Sequence, residues 1–225
     1  MHLPFEILFE DVHLIVLNKP SGLLSQGEIT GQDNVVDSLR QYLGRAFVGL
    51  VHRLDRNTSG LMVVAKRTKS ADRLTKALQS GTLRRSYLAW LEGSPAVAAS
   101  PEKLVLWEDS LVRDEKTKIT RVVKPGAPGS KHASLKLRGI RHFAHEGVPL
   151  TLCEFELETG RAHQIRAQAS SRGFPLLGDV KYGARVPFHR LALHSHHLEF
   201  PHPMSGEVMK FQCPLPEELN LKTKK

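Results

Sequence analysis

The chain has 225 residues, 40% of them hydrophobic and 24% charged, values that exclude a fibrous or intrinsically disordered polymer. Lys+Arg 32 against Asp+Glu 23 leaves a net charge of +9 and a pI near 9.7, which favours a polyanionic partner without naming it. Two cysteines, Cys153 and Cys213, are too few for a disulfide framework and match no zinc spacing; they read as core thiols in a reducing compartment. No run reaches the roughly 20 apolar residues of a membrane span, and Glu6, Glu10 and Asp11 interrupt the N-terminal stretch, which is therefore no signal peptide. The expectation is a cytoplasmic, monomeric protein with one domain over 1–225 and a flexible basic tail at 221–225.

In chain order, Phe5–Phe9 and Leu14–Leu17 read as strands, followed by the breaker Lys19-Pro20-Ser21-Gly22. Asp33 to Leu43 reads as a helix with Asp33 as N-cap, a stripe of Val35, Val36, Leu39 and Leu43, and Gly44 at C′. Val48–Val51 and Leu61–Ala65 are short apolar strands on either side of a polar loop. Ser70 to Ser80 is a second helix with Ala71, Leu74 and Leu78 on one face, stopping at Gly81. Strands are then expected at Ser86–Glu92, Leu104–Trp107, Ile119–Lys124, Ala133–Arg138 and Leu150–Glu158, with surface loops at Gly93–Pro101 and Pro125–Ser130. A third helix is expected from Arg161 to Arg172, and more strand through Val208–Cys213. Many strands and about three helices without regular βαβ alternation predict an α+β fold on a largely antiparallel, mixed sheet.

The polar loop runs His52-Arg53-Leu54-Asp55-Arg56-Asn57-Thr58-Ser59-Gly60. Flanking strands hold its backbone while its side chains can face a cleft. Asp55 sits among Arg53, Arg56 and His52, cationic neighbours that favour the ionised form and keep a carboxylate available as nucleophile or base. A salt-bridged surface turn is the other reading of these nine residues. A second segment, Leu157 to Arg166, leads from a strand end into the third helix, with Thr159 as N-cap. On a helical wheel Arg161, Gln164, Gln168 and Arg172 share a polar face directed to solvent, and Arg166 borders the apolar stripe. A partly buried guanidinium requires an acceptor such as a carboxylate, and Asp55 is a candidate.

Taken together, His52-Arg53-Leu54-Asp55 with Thr58-Ser59-Gly60, Asn18-Lys19-Pro20-Ser21-Gly22, and Tyr87 in Arg84-Arg85-Ser86-Tyr87-Leu88-Ala89 resemble the RluA-type pseudouridine synthases. Thr159 to Arg166, Gly178-Asp179-Val180-Lys181-Tyr182-Gly183, and Leu193-His194 to Pro203 extend the resemblance in the family's order over roughly residues 14 to 213. The resemblance implies the pseudouridine synthase fold with a central RNA-binding cleft, and a reaction that breaks the uridine glycosidic bond, turns the uracil and rejoins it through C5, with no cofactor. It implies Asp55 as the essential acid, acting either as nucleophile at the sugar or as base at the 2′ position. Arg166 would pair with Asp55, Tyr87 would stack on the target base, and Arg53 would fill the space of the flipped nucleotide or contact a phosphate. His52 would support the loop, and Leu61 would line the pocket or pack in the core.

Arg56, Arg84 and Arg85, with His52 and Arg53, are the candidate RNA contacts; Arg67, Lys69, Arg73, Lys76, Arg84 and Arg85 could form an RNA-facing rim, and a solvated helix face explains the first four equally well. His194, His196, His197 and His202 do not make a metal site, since His194 and His196 share a strand face that His197 leaves. Arg85 and Gln168 stand where the family more often carries Lys and His. The first catalytic strands begin by Phe5, so the accessory RNA-binding domain of many relatives is not expected, and RNA choice falls to the catalytic domain. The expected partner is RNA, either tRNA or large-subunit ribosomal RNA, with a lean towards tRNA or a small stem-loop. The rivals are a non-catalytic RNA-binding or ribosome-assembly protein on the same fold, which would need no Asp55, and a metal-dependent hydrolase, which lacks an acidic ligand set.

Overall fold

A computed structural model describes residues 3–27, 31–95, 104–145 and 147–221. The last four residues of the basic tail and residues 96–101 of the expected Gly93–Pro101 loop lie outside that range. The chain forms two compact units, Met1–Arg85 with His194–Pro214, and Ser86–Leu193 with Leu215–Lys225.

In the first unit the strands are β1 (Glu6–Glu10), β2 (Leu14–Lys19), β3 (Gly49–Leu50), β4 (Ser59–Ala65), β10 (Leu193–Pro201) and β11 (Val208–Gln212). β2 lies between β1 and β4, antiparallel to both. β4 also takes β3 antiparallel and β10 parallel, with Ser59 opposite His194 and Gly60 opposite Ser195. Every residue of β4 is buried, as a short uninterrupted apolar run covered on both faces should be. The core joins Leu14, Val16, Leu61, Val63, Leu74 and Phe200.

Two helices complete this unit. α1 (Val35–Leu43) starts one residue later than predicted: Asn34, not Asp33, is the cap, its Oδ1 accepting the Asp37 N–H. Asn34 is buried, and Asp33 is exposed to solvent. Gly44 ends the helix in the left-handed conformation, as the sequence implies. α2 (Thr68–Gln79) buries Leu74 and Ala77 and packs Ala71 and Leu78 against the same core.

The second unit is an antiparallel array in the order β5 (Arg84–Glu92, from Ser86 on), β9 (Val148–Leu157), β8 (Lys131–His145), β6 (Val105–Asp114) and β7 (Ile119–Val123). Strands β6 and β8 run well past their predicted ends. Both keep inward apolar side chains, Trp107 and Leu111 on one and Leu135 and Leu137 on the other, and ladder pairing carries them on through polar residues. Trp90, Leu152, Leu177 and Leu219 form one core, and the Trp90 indole N–H donates to the Leu219 carbonyl at 2.7 Å.

Helix α3 (Gln164–Ser171) starts three residues later than predicted, and Thr159 is not its cap. His163 precedes it with φ 53, and the Thr159 hydroxyl donates instead to the Gln164 Oε1, which also accepts the Arg161 N–H. Gln164 and Gln168, expected on a solvent face, are buried. Their amides serve backbone acceptors, Gln164 at the Ser134 carbonyl and Gln168 at the Trp107 carbonyl, and Gln168 also reaches Asp109 at 2.7 Å. The wheel placed these amides correctly relative to one another, but the β6–β8 layer covers the face it assigned to water. No helix of the described residues is long and apolar enough to cross a membrane.

Candidate active site

The loop from His52 to Gly60 leads into β4, and the segment after β2 ties it down. Lys19 is fully buried, and its ammonium donates to three carbonyls, Pro20 at 2.9 Å, Leu23 at 2.7 Å and Arg56 at 3.1 Å. The Gly22 N–H also reaches the Arg56 carbonyl, and the Arg56 Nε returns a bond to the Gly22 carbonyl. The Ser21 hydroxyl holds the Asn57 carbonyl. Buried Ser25 grips Leu54 twice, accepting its N–H at 3.1 Å and donating to its carbonyl at 2.7 Å. The Thr58 N–H closes a turn on the Asp55 carbonyl at 3.0 Å. Asp55, half-buried, therefore sits between two backbone anchors, Leu54 and Arg56.

The far end of the loop is fixed by contact rather than by a side chain. Gly60 has φ +109, and a Cβ there would stand 2.1 Å from the Ser195 carbonyl oxygen, so only glycine lets β4 approach β10. One residue earlier, Ser59 Oγ and His194 Nδ1 are hydrogen bonded at 2.9 Å. His52 opens the loop from within the core. Its Nε2 accepts the Val63 N–H at 3.2 Å, so the ring proton of the neutral form resides on Nδ1. Burial, with the Arg85 charge adding to it, pushes the imidazole down to about 3. His52 is thus an uncharged support at neutral pH.

Of the candidate RNA contacts, Arg53 and Arg56 are exposed on the loop and Arg84 is exposed at the start of β5. Arg84 borders an open groove of about 420 Å³ with Ser80, Thr82, Glu199 and Val208. Arg85 is buried, so it does not belong to an exposed basic rim. Lys76 pairs with Asp72 at 3.0 Å, and Arg73 donates to the Pro203 carbonyl. The C-terminal histidines are engaged separately: His196 on the Cys213 carbonyl and His202 on Asp11. Among the described residues no three His, Cys, Asp or Glu side chains gather as metal ligands would.

Tyr87 and Arg166 belong to the second unit. Tyr87 lies buried in β5 opposite Phe155 of β9. Arg166, in the first turn of α3, is buried, and its Nε and Nη2 donate to the two carboxylate oxygens of Asp179 at 2.7 and 2.8 Å. Planar, two-point pairing is the geometry for which guanidinium is suited. Its Cζ also lies 4.7 Å from the centre of the Tyr182 ring. Asp179 and Tyr182 frame the turn Val180–Tyr182. Sequence reasoning quoted the Gly178 to Gly183 block but gave neither residue a part. The available signal was an acid sharing that block with a tyrosine in a chain whose α3 needed a buried counter-ion.

The profile of a family described as RNA pseudouridylate synthase matches residues 13–171. The uncharacterized RNA pseudouridine synthase YjbO of Bacillus subtilis is 35% identical over 232 residues, covering 96% of this chain and 75% of that protein. Ribosomal large subunit pseudouridine synthase D of Vibrio cholerae is 35% identical over 237 residues, covering 96% of this chain and 69% of its own length. Among solved structures, Human RNA Pseudouridylate Synthase Domain Containing 1 superposes with a TM-score of 0.74 at 24% identity, over 93% of this chain and 83% of that one; at that identity it supports the fold alone. With the profile spanning well over half of the residues, and the matched blocks in the expected order, the chain belongs to the RNA pseudouridylate synthase family and is an isomerase of the RluA type that converts uridine to pseudouridine in RNA.

Proposed function

We propose that this enzyme acts on uridines of large-subunit ribosomal RNA, in the cytoplasm, with Asp55 as the essential acid and with Tyr87 and Arg166 completing the catalytic set. The likeness to the Vibrio cholerae large-subunit enzyme along nearly the whole chain supports the substrate class over tRNA. The observation that carries the assignment of Asp55 is its place on the loop: a half-buried carboxylate whose two neighbours in sequence are bonded through their backbones. Such a group is aimed before substrate arrives, which is where much of an enzyme's advantage originates.

The reaction breaks the N1–C1′ bond and forms C5–C1′. The C5 proton leaves, N1 gains one, and no electrons are exchanged. Asp55 serves as nucleophile at C1′ or as base at the 2′ position. Exposed Arg53 fills the gap left by the flipped nucleotide, while Tyr87 stacks on the base and Arg166 supplies a buried cation to the set. Arg56 and Arg84 contact phosphates, and Arg85 and His52 act from within. With a formal net charge of +9, RNA affinity should fall steeply with salt. The test is pseudouridine mapping across total RNA from cells with and without the gene. Loss of one or a few sites in 23S-type RNA is expected; loss confined to tRNA would overturn the substrate class, and no lost site would overturn the proposal.

A further inference from the structure

We infer that Asp179 and Tyr182 are positioning residues for Arg166, forming a platform that fixes the plane and direction of its guanidinium. The inference rests on the reading of Arg166 as a member of the catalytic set. Three observations in the second unit carry it. Asp179 engages two guanidinium nitrogens at 2.7 and 2.8 Å with both partners buried, which fixes the guanidinium plane. The Tyr182 ring lies under the same group at 4.7 Å, which closes one of its two faces.

The third observation is that the platform is itself anchored. The Tyr182 hydroxyl accepts the Thr120 N–H at 2.9 Å and is bonded to His163 Nδ1 at 2.9 Å. The Tyr182 carbonyl accepts the Ser170 hydroxyl at 2.7 Å, and its N–H donates to the Asp179 carbonyl at 2.9 Å. His163 is the residue that launches α3 from a left-handed conformation, φ 53, a strained choice for a side chain with a Cβ. The turn carrying Asp179 and Tyr182 and the helix carrying Arg166 are thereby bolted at both ends, through Tyr182 to His163 on one side and through Ser170 on the other. Two residues, Asp179 and Tyr182, hold the guanidinium, and three more, Thr120, His163 and Ser170, hold Tyr182 in turn. They specify a direction.

Removing parts of the platform should slow the chemical step and leave RNA binding alone. The probes are single-turnover rate and filter-binding affinity on in-vitro-transcribed large-subunit ribosomal RNA, with total RNA as a second substrate. Tyr182→Phe keeps the ring and removes the anchor, and a fall of a few-fold in rate is expected. Tyr182→Leu should lower the rate about thirtyfold, the rate equivalent of a desolvated cation–π contact. Asp179→Asn should lower it about a hundredfold, since one charge-assisted bond of two is lost, and Asp179→Glu should recover part of that loss. RNA affinity should stay within about twofold throughout. The inference is overturned if Tyr182→Phe and Asp179→Asn fold, melt below wild type, and turn over at the wild-type rate, or if the loss falls wholly on affinity. A wild-type enzyme inert on both substrates, or a fully active Arg166→Lys, overturns the catalytic reading instead.

Discussion

In the first unit Asp55 rides on a loop tied down through its backbone, whereas in the second unit Arg166 is held through its side chain. The ties on the loop come from Lys19, Ser21, Ser25 and the close approach at Gly60, and they act on the backbone of the loop. The ties on Arg166 grip the functional group itself. Backbone anchoring fixes where a side chain starts and suits a group that must change partners in a reaction. Side-chain anchoring suits a charge that stays put. Changes around Asp55 should therefore register first as lost stability, and changes around Arg166 first as lost rate.

The largest break in that contrast is expected from Gly60→Ala. A Cβ 2.1 Å from the Ser195 carbonyl forces β4 and β10 apart, and a loss of about 4 kcal/mol or more is expected, at the extreme of single substitutions. Urea unfolding checks it. Next comes Lys19→Met, which removes the ammonium from the Pro20 and Leu23 carbonyls and leaves the Arg56 carbonyl with the Gly22 N–H alone of the two donors described above. At about 1–3 kcal/mol for a buried group left unsatisfied, a total near 3 kcal/mol is expected, together with a slowed chemical step as Arg56 slackens. A variant as stable and as fast as wild type would show that the loop needs no such anchor.

A smaller and more particular effect concerns His52. In the unfolded chain its imidazole titrates at the ordinary value near 6.5, and in the folded protein only at about 3. The unfolded state binds the proton first, so stability is complete above about pH 6.5 and declines as pH falls towards 3. The slope is up to about 1.4 kcal/mol per pH unit. His52→Asn should flatten that decline between pH 6.5 and 4, measured by denaturant unfolding at several pH values. An equal slope in both proteins would mean that His52 is not held neutral. Smallest of all in stability is Arg53→Ala: the side chain is exposed, so folding should change by less than about 0.5 kcal/mol. Turnover on structured RNA should still fall further than RNA affinity.

The loop was legible in the sequence because its chemistry is local: His52 to Gly60 is contiguous, and the turn residues and flanking apolar strands announce a held loop. The breaker at Lys19 to Gly22 was visible too, but not its purpose, since the Lys19 to Arg56 bond spans 37 positions. The start of α3 was misplaced because Thr159 is a good N-cap by type, while its hydroxyl is taken by the Gln164 side chain and by the distant Ser134 N–H. Gln164 and Gln168 looked like solvent residues because periodicity records spacing and not which face another layer will cover. Asp179 carries no distinguishing mark in the sequence. Its pairing with Arg166 exists only once the turn at Val180–Tyr182 folds back on α3.

The most direct test of Asp55 as the reacting acid is Asp55→Asn, assayed for single-turnover pseudouridine formation and, in parallel, for RNA affinity. Asparagine keeps the shape of the side chain and leaves the Leu54 and Arg56 anchors in place. The expected result is no detectable product with affinity within about twofold of wild type, since the backbone-held loop should survive the change. Product formed at the wild-type rate would contradict the account.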